Sequence, residues 1–297
     1  MKMKIDFEME EINCPICAAR ERIPFHREDF YQMVRCPSCE FIYLNPRPTK
    51  ESLLYFYQHY LPEGGPSIQT WRKMMLPVFK RAANLIQRYE EKGRLLDVGA
   101  GFGFFLAEMK SRGWEVAGVE ISQKAMEYAR DVLGLTFHRG PLEKVGFPEH
   151  HFDVVTGFYV IEHLSHPMTF LMECYRILKN GGLLLLRYPH TTPIKNLLRF
   201  FRIENRLYDL PAHLCDFSPE MIGKCLNRVG FEGCEHLIGG YTLPDSLGKR
   251  TASVLFGKIS EALFYLGKKK FLLPGVSKTV LAYKGNVSGN GLSNKVQ

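Results

Sequence analysis

The sequence predicts an α/β protein: a doubly wound, mainly parallel sheet preceded by a small ribbon closed by cysteines. Three observations carry that expectation. From residue 94 onward, short apolar runs alternate with helical periodicities, the pattern of strands joined by right-handed helical crossovers. The run Asp97-Val98-Gly99-Ala100-Gly101-Phe102-Gly103 lies directly between a strand-like and a helix-like segment, where such sheets open their ligand crevice. Two Cys-x-x-Cys pairs, Cys14/Cys17 and Cys36/Cys39, stand eighteen residues apart near the start.

The 297 residues carry 39 Lys and Arg against 31 Asp and Glu, with 45% hydrophobic and 24% charged side chains. Those proportions exclude a disordered chain, a collagen and a disulfide-stapled miniprotein. No run approaches the roughly 18 uninterrupted apolar residues of a membrane-spanning helix. The start, MKMKIDFEMEEI, lacks the apolar core of a signal peptide, so a cytoplasmic location is expected. The positive excess sits in the last third: residues 1–50 hold 8 basic and 8 acidic side chains, 51–184 hold 15 of each, and 185–297 hold 16 and 8. A phosphorylated substrate, an anionic membrane or nucleic acid would each be drawn there, and a plain solvated basic face explains it equally well.

Taken in chain order, the first element is the ribbon, residues 1–48. Each Cys-x-x-Cys turns two sulfurs toward one point, and Zn²⁺ takes four such thiolates at tetrahedral corners. With no other ligand nearby in sequence, Cys14, Cys17, Cys36 and Cys39 are expected to form a closed, structural zinc site. Cys174, Cys215, Cys225 and Cys234 share no such spacing and read as buried thiols.

A helical connector is expected over residues 49–92. Thr49 is its N-cap after Pro46 and Pro48, and Tyr55, Phe56, Tyr57 and Tyr60 crowd the first helix. Those aromatics either pack the ribbon onto the main domain or form a lid over a substrate. A second helix follows over residues 67–92 and stops at Gly93.

The main domain is expected over residues 93–285. RLLDVG, EVAGVEIS, LTFHRG and FDVVTGFYVIEHL read as strands with helices between them, and the turn Lys179-Asn180-Gly181-Gly182 precedes a further strand, LLLLRYP. Glu120 ends the second strand 17 residues after Gly103, where a carboxylate accepts from ribose hydroxyls. Asp97 at the head of the loop would repel a phosphate and attract an ammonium, which separates this loop from a dinucleotide site.

Asp97 with its glycines, Glu120, Phe152-Asp153-Val154-Val155, Glu162-His163 and Arg176-Ile177-Leu178-Lys179-Asn180-Gly181-Gly182 together resemble the class I S-adenosylmethionine-dependent methyltransferases over residues 75–240. HLCDFSPEMIGKCLNRVGF looks like the segment these enzymes place before their sixth strand. The CPIC…CPSC pairs followed by LNPRPT resemble a bacterial subset with a zinc ribbon, associated with polysaccharide or sugar modification. The resemblance implies a Rossmann-like, seven-stranded doubly wound sheet. It puts Gly99, Gly101 and Gly103 under the cofactor, Asp97 near its ammonium, Glu120 on its ribose and Phe158 near the sulfonium or substrate. Where the family commonly has an acid for adenine, this chain has Gly140-Pro141-Leu142-Glu143, which leaves adenine to the Leu142 backbone or Glu143.

Methyl transfer from a sulfonium needs positioning above all, and a base only when the acceptor is a hydroxyl. His163 beside Glu162 is the candidate base or, alternatively, a brace for its loop; His190 and His213 are weaker candidates. The ubiquinone-pathway O-methyltransferases are similar here but are associated with a further acid for a metal three residues before Glu162. Tyr159 occupies that position, so no catalytic metal is expected.

Residues 251–273 combine helically spaced Val254, Leu255, Ile259, Ala262, Leu263 and Leu266 with Lys268-Lys269-Lys270. They either pack on the sheet or rest on the inner surface of a membrane. KTVLAYK reads as a closing strand, and residues 286–297 as a disordered tail. Three functions remain in view: a methyltransferase acting at oxygen on a small molecule, sugar or lipid-linked glycan, with an acidic acceptor favoured by the charge; an RNA methyltransferase gripping phosphates with ribbon and basic third; and a noncatalytic cofactor-binding module. Gly157-Phe158-Tyr159-Val160 lacks the Pro-Pro pattern of enzymes that methylate base amines.

Overall fold

The computed structural model describes residues 7–62, 64–202, 206–238, 242–243, 247–267 and 277–285. The ribbon comprises β1 (Met9–Glu10), β2 (Ile23–Glu28), β3 (Tyr31–Arg35), β4 (Ile42–Leu44) and β5 (Arg47–Pro48). Two helices follow, α1 (Lys50–Gln58) and α2 (Gly65–Tyr89). The main domain then runs β6 (Arg94–Val98), α3 (Phe104–Ser111), β7 (Glu115–Glu120), α4 (Gln123–Leu133), β8 (Phe137–Arg139), β9 (Phe152–Phe158), α5 (Pro167–Ile177) and β10 (Leu178–Tyr188). It closes with α6 (Thr192–Phe200), β11 (Cys215–Asp216), α7 (Pro219–Val229), β12 (Phe231–Ile238), α8 (Leu247–Leu266) and β13 (Lys278–Lys284). Among the described residues, no helix is long and apolar enough to cross a membrane.

Seven strands form the main sheet in the order β12-β13-β10-β9-β6-β7-β8. The pairs β10–β9, β9–β6, β6–β7 and β7–β8 are parallel, and β13 runs antiparallel between β10 and β12. Successive residues of its central strands feed opposite layers, as period-two geometry requires. Leu96, Val155, Leu184, Leu186 and Ala282 join the core shared with the ribbon, while Leu95, Val154, Leu183, Leu185 and Leu281 join the core beneath α2 and α3. The sheet is therefore covered on both faces, and its strands read as nearly continuous apolar runs.

Several boundaries follow from single residues. Ser218 caps α7 by accepting from Met221 N at 3.1 Å, and Gly230 ends it in the left-handed region. Ser218→Ala is expected to cost about 1 kcal/mol, measured as a lowered denaturant midpoint with unchanged slope. The expected turn Lys179–Gly182 is instead absorbed into β10, whose pairing with β9 shifts register between Leu178 and Leu183. Gly181, at φ +77, permits that irregularity.

The ribbon is less separate than its sequence implies. Its sheet has the order β11-β4-β3-β2, so the last strand comes from residues 215–216 of the main domain, with Cys215 opposite Tyr43 and Asp216 opposite Ile42. Leu214 lies between the two units: its carbonyl accepts from Leu44 N and its N–H donates to the carbonyl of Glu162, both at 2.8 Å. Met33, Phe41, Tyr43 and Leu44 are buried in one core with Phe170, Leu171 and Phe217. The helix expected within residues 251–273 forms as α8, leaving Leu255, Ile259, Leu263 and Leu266 exposed. Lys268–Lys270 and the tail expected over 286–297 lie outside the described residues.

Candidate active site

β6 delivers Asp97 and Val98 to the crevice, and the chain then turns through three glycines into α3. Gly101 has φ +53 and donates its N–H to Glu120 Oε2 at 2.8 Å. Gly103 has φ +78 and caps α3, and a Cβ there would stand 2.9 Å from Leu135 Cδ1 and Phe137 Cζ. These two positions admit only glycine without strain. Gly103 does not line the cavity described next, contrary to its expected place under the cofactor. It buys close packing of α3 against the neighbouring strand.

Glu120, at the end of β7, also accepts from Ile121 N at 2.8 Å and Ser122 N at 2.9 Å. Three of its roughly four acceptor positions are thus spent holding the loop, leaving one on Oε2 for a ligand. Asp97 accepts from Thr156 Oγ1 at 2.7 Å and is 3% exposed. Burial pushes its pKa up to about 8, with nearby Glu120 adding to the rise. Burial likewise raises Glu120, against the pull of its backbone donors. Among the described residues, no lysine or arginine pairs with either carboxylate.

These groups open onto a cavity of about 580 Å³ at the C-terminal ends of β6, β7 and β9, within the range of small-ligand sites. Asp97, Gly99, Gly101 and Glu120 line one end, and Gly140, Pro141, Leu142 and Glu143 close it where an adenine was expected. Phe158 lines the middle and packs edge-on to Phe79 and Phe105. The segment carrying α1 and α2 walls the cavity: Tyr57 and Tyr60 at the far end, against His163, and Trp71 over Gly101, with Met74 and Met75 also in the lining. The expected connector is therefore a wall of the site.

His163 and His213 meet at that far end, with ring centroids 4.9 Å apart. His163 Nδ1 donates to the carbonyl of Ala212 at 2.8 Å. A carbonyl can only accept, so Nδ1 carries the proton and Nε2 keeps its lone pair. Burial, with His213 beside it, lowers the His163 pKa to about 3. Tyr57 donates its hydroxyl to the same Ala212 carbonyl at 2.7 Å, and Tyr60 donates to Asp209 at 3.2 Å.

Glu162 lies behind this pair, 1% exposed, with neither carboxylate oxygen hydrogen-bonded. Burial raises its pKa to about 8. One ligand atom each from Glu162, His163 and His213 falls within 4.8 Å of the others. Tyr159 lines the cavity, with its hydroxyl accepting from Arg187 Nε at 2.8 Å and donating to Ser277 Oγ at 3.0 Å. His190 is not part of the cavity lining.

In the ribbon, two knuckles present the cysteines. Ala18 N donates to Cys14 O and Glu40 N to Cys36 O, with Ala18 and Glu40 both at positive φ. The sulfurs of Cys14 and Cys39, and of Cys17 and Cys36, lie 3.6 Å apart. Four thiolates at about 2.3 Å from one Zn²⁺ would be about 3.8 Å apart, so the donor set fits the ion.

An acid-headed glycine loop, a carboxylate ending the next strand and an antiparallel strand inserted near the sheet edge define a class I methyltransferase architecture. The comparisons agree, and the chain carries a class I S-adenosylmethionine-dependent methyltransferase domain. A family model described as a methyltransferase domain matches residues 96–186. A ubiquinone biosynthesis O-methyltransferase of Dechloromonas aromatica is 29% identical over 173 residues, which is 54% of this chain and 74% of that protein. The enzyme of the same name from Cereibacter sphaeroides is 34% identical over 148 residues, 47% of this chain and 60% of its own length. The chain thus spans about three fifths to three quarters of these relatives. Among solved structures, phosphoethanolamine N-methyltransferase 2 of Haemonchus contortus, in complex with S-adenosyl-L-methionine, has a TM-score of 0.51 at 15% identity over 90% of this chain and 71% of that one. A methyltransferase of Thermotoga maritima has the same TM-score at 17% identity, covering 77% and 99%. Both structures share the fold.

Trp71, Met74 and Met75 line the cavity although helical periodicity gives them no functional signal, and His213 stands beside His163. The aromatic crowding at Tyr55–Tyr60 was the one clue to the wall formed by α1.

Proposed function

We propose that the protein transfers a methyl group from S-adenosylmethionine to a hydroxyl of a small-molecule, sugar or lipid-linked glycan acceptor. The observation that carries this reading is the acidic end of the cavity, where Asp97 and Glu120 are buried without a cationic side chain to neutralise them. A cofactor bearing an ammonium supplies that counter-charge, and its sulfonium supplies an already activated methyl. Asp97 with Gly99 and Gly101 would hold the methionine end, Glu120 one ribose hydroxyl, and the Leu142–Glu143 backbone and side chain the base. Phe158, Tyr57, Tyr60 and Trp71 exclude water and orient the acceptor toward the C-terminal end of β9. The oxygen preference is supported by His163 Nε2, a lone pair at the acceptor end, and by the relatives' names as O-methyltransferases.

Calorimetry tests the cofactor half. Because Asp97 is mostly protonated at pH 7 when its pKa is near 8, a bound cation should drive off close to one proton per chain. Titrations in two buffers of different ionisation enthalpy measure that release, and Asp97→Asn should abolish it. Glu120→Ala should weaken binding by about 1.5–3 kcal/mol, for a charge-assisted hydrogen bond and the loop it holds. Unchanged affinity in both variants would remove the cofactor assignment.

A further inference from the structure

A second cavity, of about 660 Å³, opens between the ribbon and α6, with Tyr208 in its lining. Arg27, Lys195, Arg199, Arg202 and Arg206 line it against the carboxylates of Glu28 and Asp29. Burial, reinforced by Lys195, lowers the pKa of His26, which leaves the charge to the other groups. Lys195 is tied to Glu28 at 2.8 Å and Arg206 to Asp29 at 2.9 Å. Among the described residues, no carboxylate pairs with Arg199 or Arg202. Among the described residues of the lining, three positive charges are thus in excess around a concave surface, a setting suited to phosphate oxygens.

Exposed apolar side chains flank the residues of this cavity: Phe30, at the tip of the hairpin joining β2 to β3, is 90% exposed and Phe200, next to Arg199, is 79% exposed, while helix spacing turns Leu197 and Phe201 to the other face of α6. The two ion pairs fasten the hairpin tip to the α6 region, and Asp216 fixes the start of α6 by accepting from Thr191 N and Thr192 N. Rigidly presented aromatics beside unpaired arginines are costly to leave in water and match the interface of an anionic bilayer, where rings enter below the headgroups and cations meet the phosphates.

We propose that the hairpin tip and α6, with exposed Phe30 and Phe200 flanking the Arg27/Arg199/Arg202/Arg206 cavity, form a docking surface for a membrane of anionic phospholipid. This surface differs from α8, which borders a cavity lined by Arg81, Arg88 and Arg187; there Arg81 pairs with Glu261 of α8 itself, and none of the exposed Leu255, Ile259, Leu263 or Leu266 lines it. Docking at this surface does not depend on whether the acceptor is a hydroxyl.

Co-sedimentation of the full chain with vesicles at physiological salt tests it. Phosphatidylcholine vesicles containing phosphatidylglycerol should capture the protein, and phosphatidylcholine alone should not. Each arginine near the surface contributes about 5-fold to partitioning, so Arg199→Ala with Arg202→Ala should weaken capture about 30-fold. Phe30→Ser with Phe200→Ser should also weaken it, whereas Leu255→Ser with Ile259→Ser should not; matched thermal melts verify that each variant is folded. Equal capture by neutral vesicles, undiminished capture of the arginine variant, or loss only in the α8 variant would overturn the proposal. So would binding of inorganic phosphate or short RNA by a protein that no vesicle captures.

Discussion

Replacing Glu162 by glutamine is expected to lower turnover on a hydroxyl acceptor by roughly 10²–10⁴-fold, the range for loss of acid–base assistance. The buried His163 imidazole, with its pKa near 3, is already deprotonated throughout the neutral range. It therefore cannot produce the rise in rate near pH 6.5 that its residue type suggests. Glu162 can produce one higher up: neutral below about pH 8 and charged above it, it stabilises a proton arriving on His163 only once ionised. The rate should climb with pH and level off above about 8, and Glu162→Gln should flatten that profile. His163→Ala should cost a similar factor without changing cofactor affinity; if turnover and profile both survive it, His163 is a brace. Stability should move the other way. A carboxyl whose folded pKa lies above its unfolded value binds more protons when folded, so its contribution is fully present below about pH 4.5 and is lost as pH rises toward 8. Glu162→Gln should thus melt higher than the parent at pH 8.5 while turning over more slowly. A variant that is both less stable and less active would point to damage instead.

Removing zinc is expected to have the other large effect. Apparent binding energies of structural zinc sites run to about 10–16 kcal/mol in isolated fingers, far more than a ribbon of this size gains from its own core. Metal analysis should return one zinc per chain, and Cys36→Ser or chelation should release hydrogen-exchange protection across residues 10–44. Cofactor binding should persist, since Asp97, Gly101 and Glu120 touch no ribbon residue in their hydrogen bonds. Turnover should fail, because Leu44 holds Leu214 and Leu214 holds Glu162. Purified protein without zinc, its four thiols open to alkylation, would sink the assignment. Turnover that survives ribbon unfolding would show that the acceptor end stands without it.

The parts legible in the sequence are those set by local geometry. Glycine spacing marks the loop after β6, Cys-x-x-Cys marks the knuckles, and period-two or 3.6 patterns mark most strands and helices, including the closing strand at Lys278–Lys284. Misread features depend on residues far apart in the chain. Tyr57 reaches Ala212 across 155 positions, and nothing local distinguishes a wall of the site from a connector. The Lys179–Gly182 sequence has turn chemistry, yet pairing with β9 on either side draws it into β10. Gly103 has the spacing of a cofactor glycine, but neighbours at Leu135 and Phe137 account for it. The acidity of Glu162 and the low basicity of His163 come from burial, which no motif states.

The strand borrowed from residues 215–216 also bears on synthesis. When β4 leaves the ribosome its outer edge has no partner, because β11 lies 171 residues further along the chain. At about 5–20 residues per second, roughly 10–30 s pass before that edge can be covered. A three-residue strand offers little for a stray strand to pair with, which limits the hazard of an open edge during the wait. A metal ion on the four cysteines would be captured early, but the contact from Leu44 through Leu214 to Glu162 forms only after two thirds of the polypeptide has been made. A nascent chain stalled late in that interval would therefore hold its glycine loop and its cysteine knuckles while the end of the cavity at Glu162 was still open.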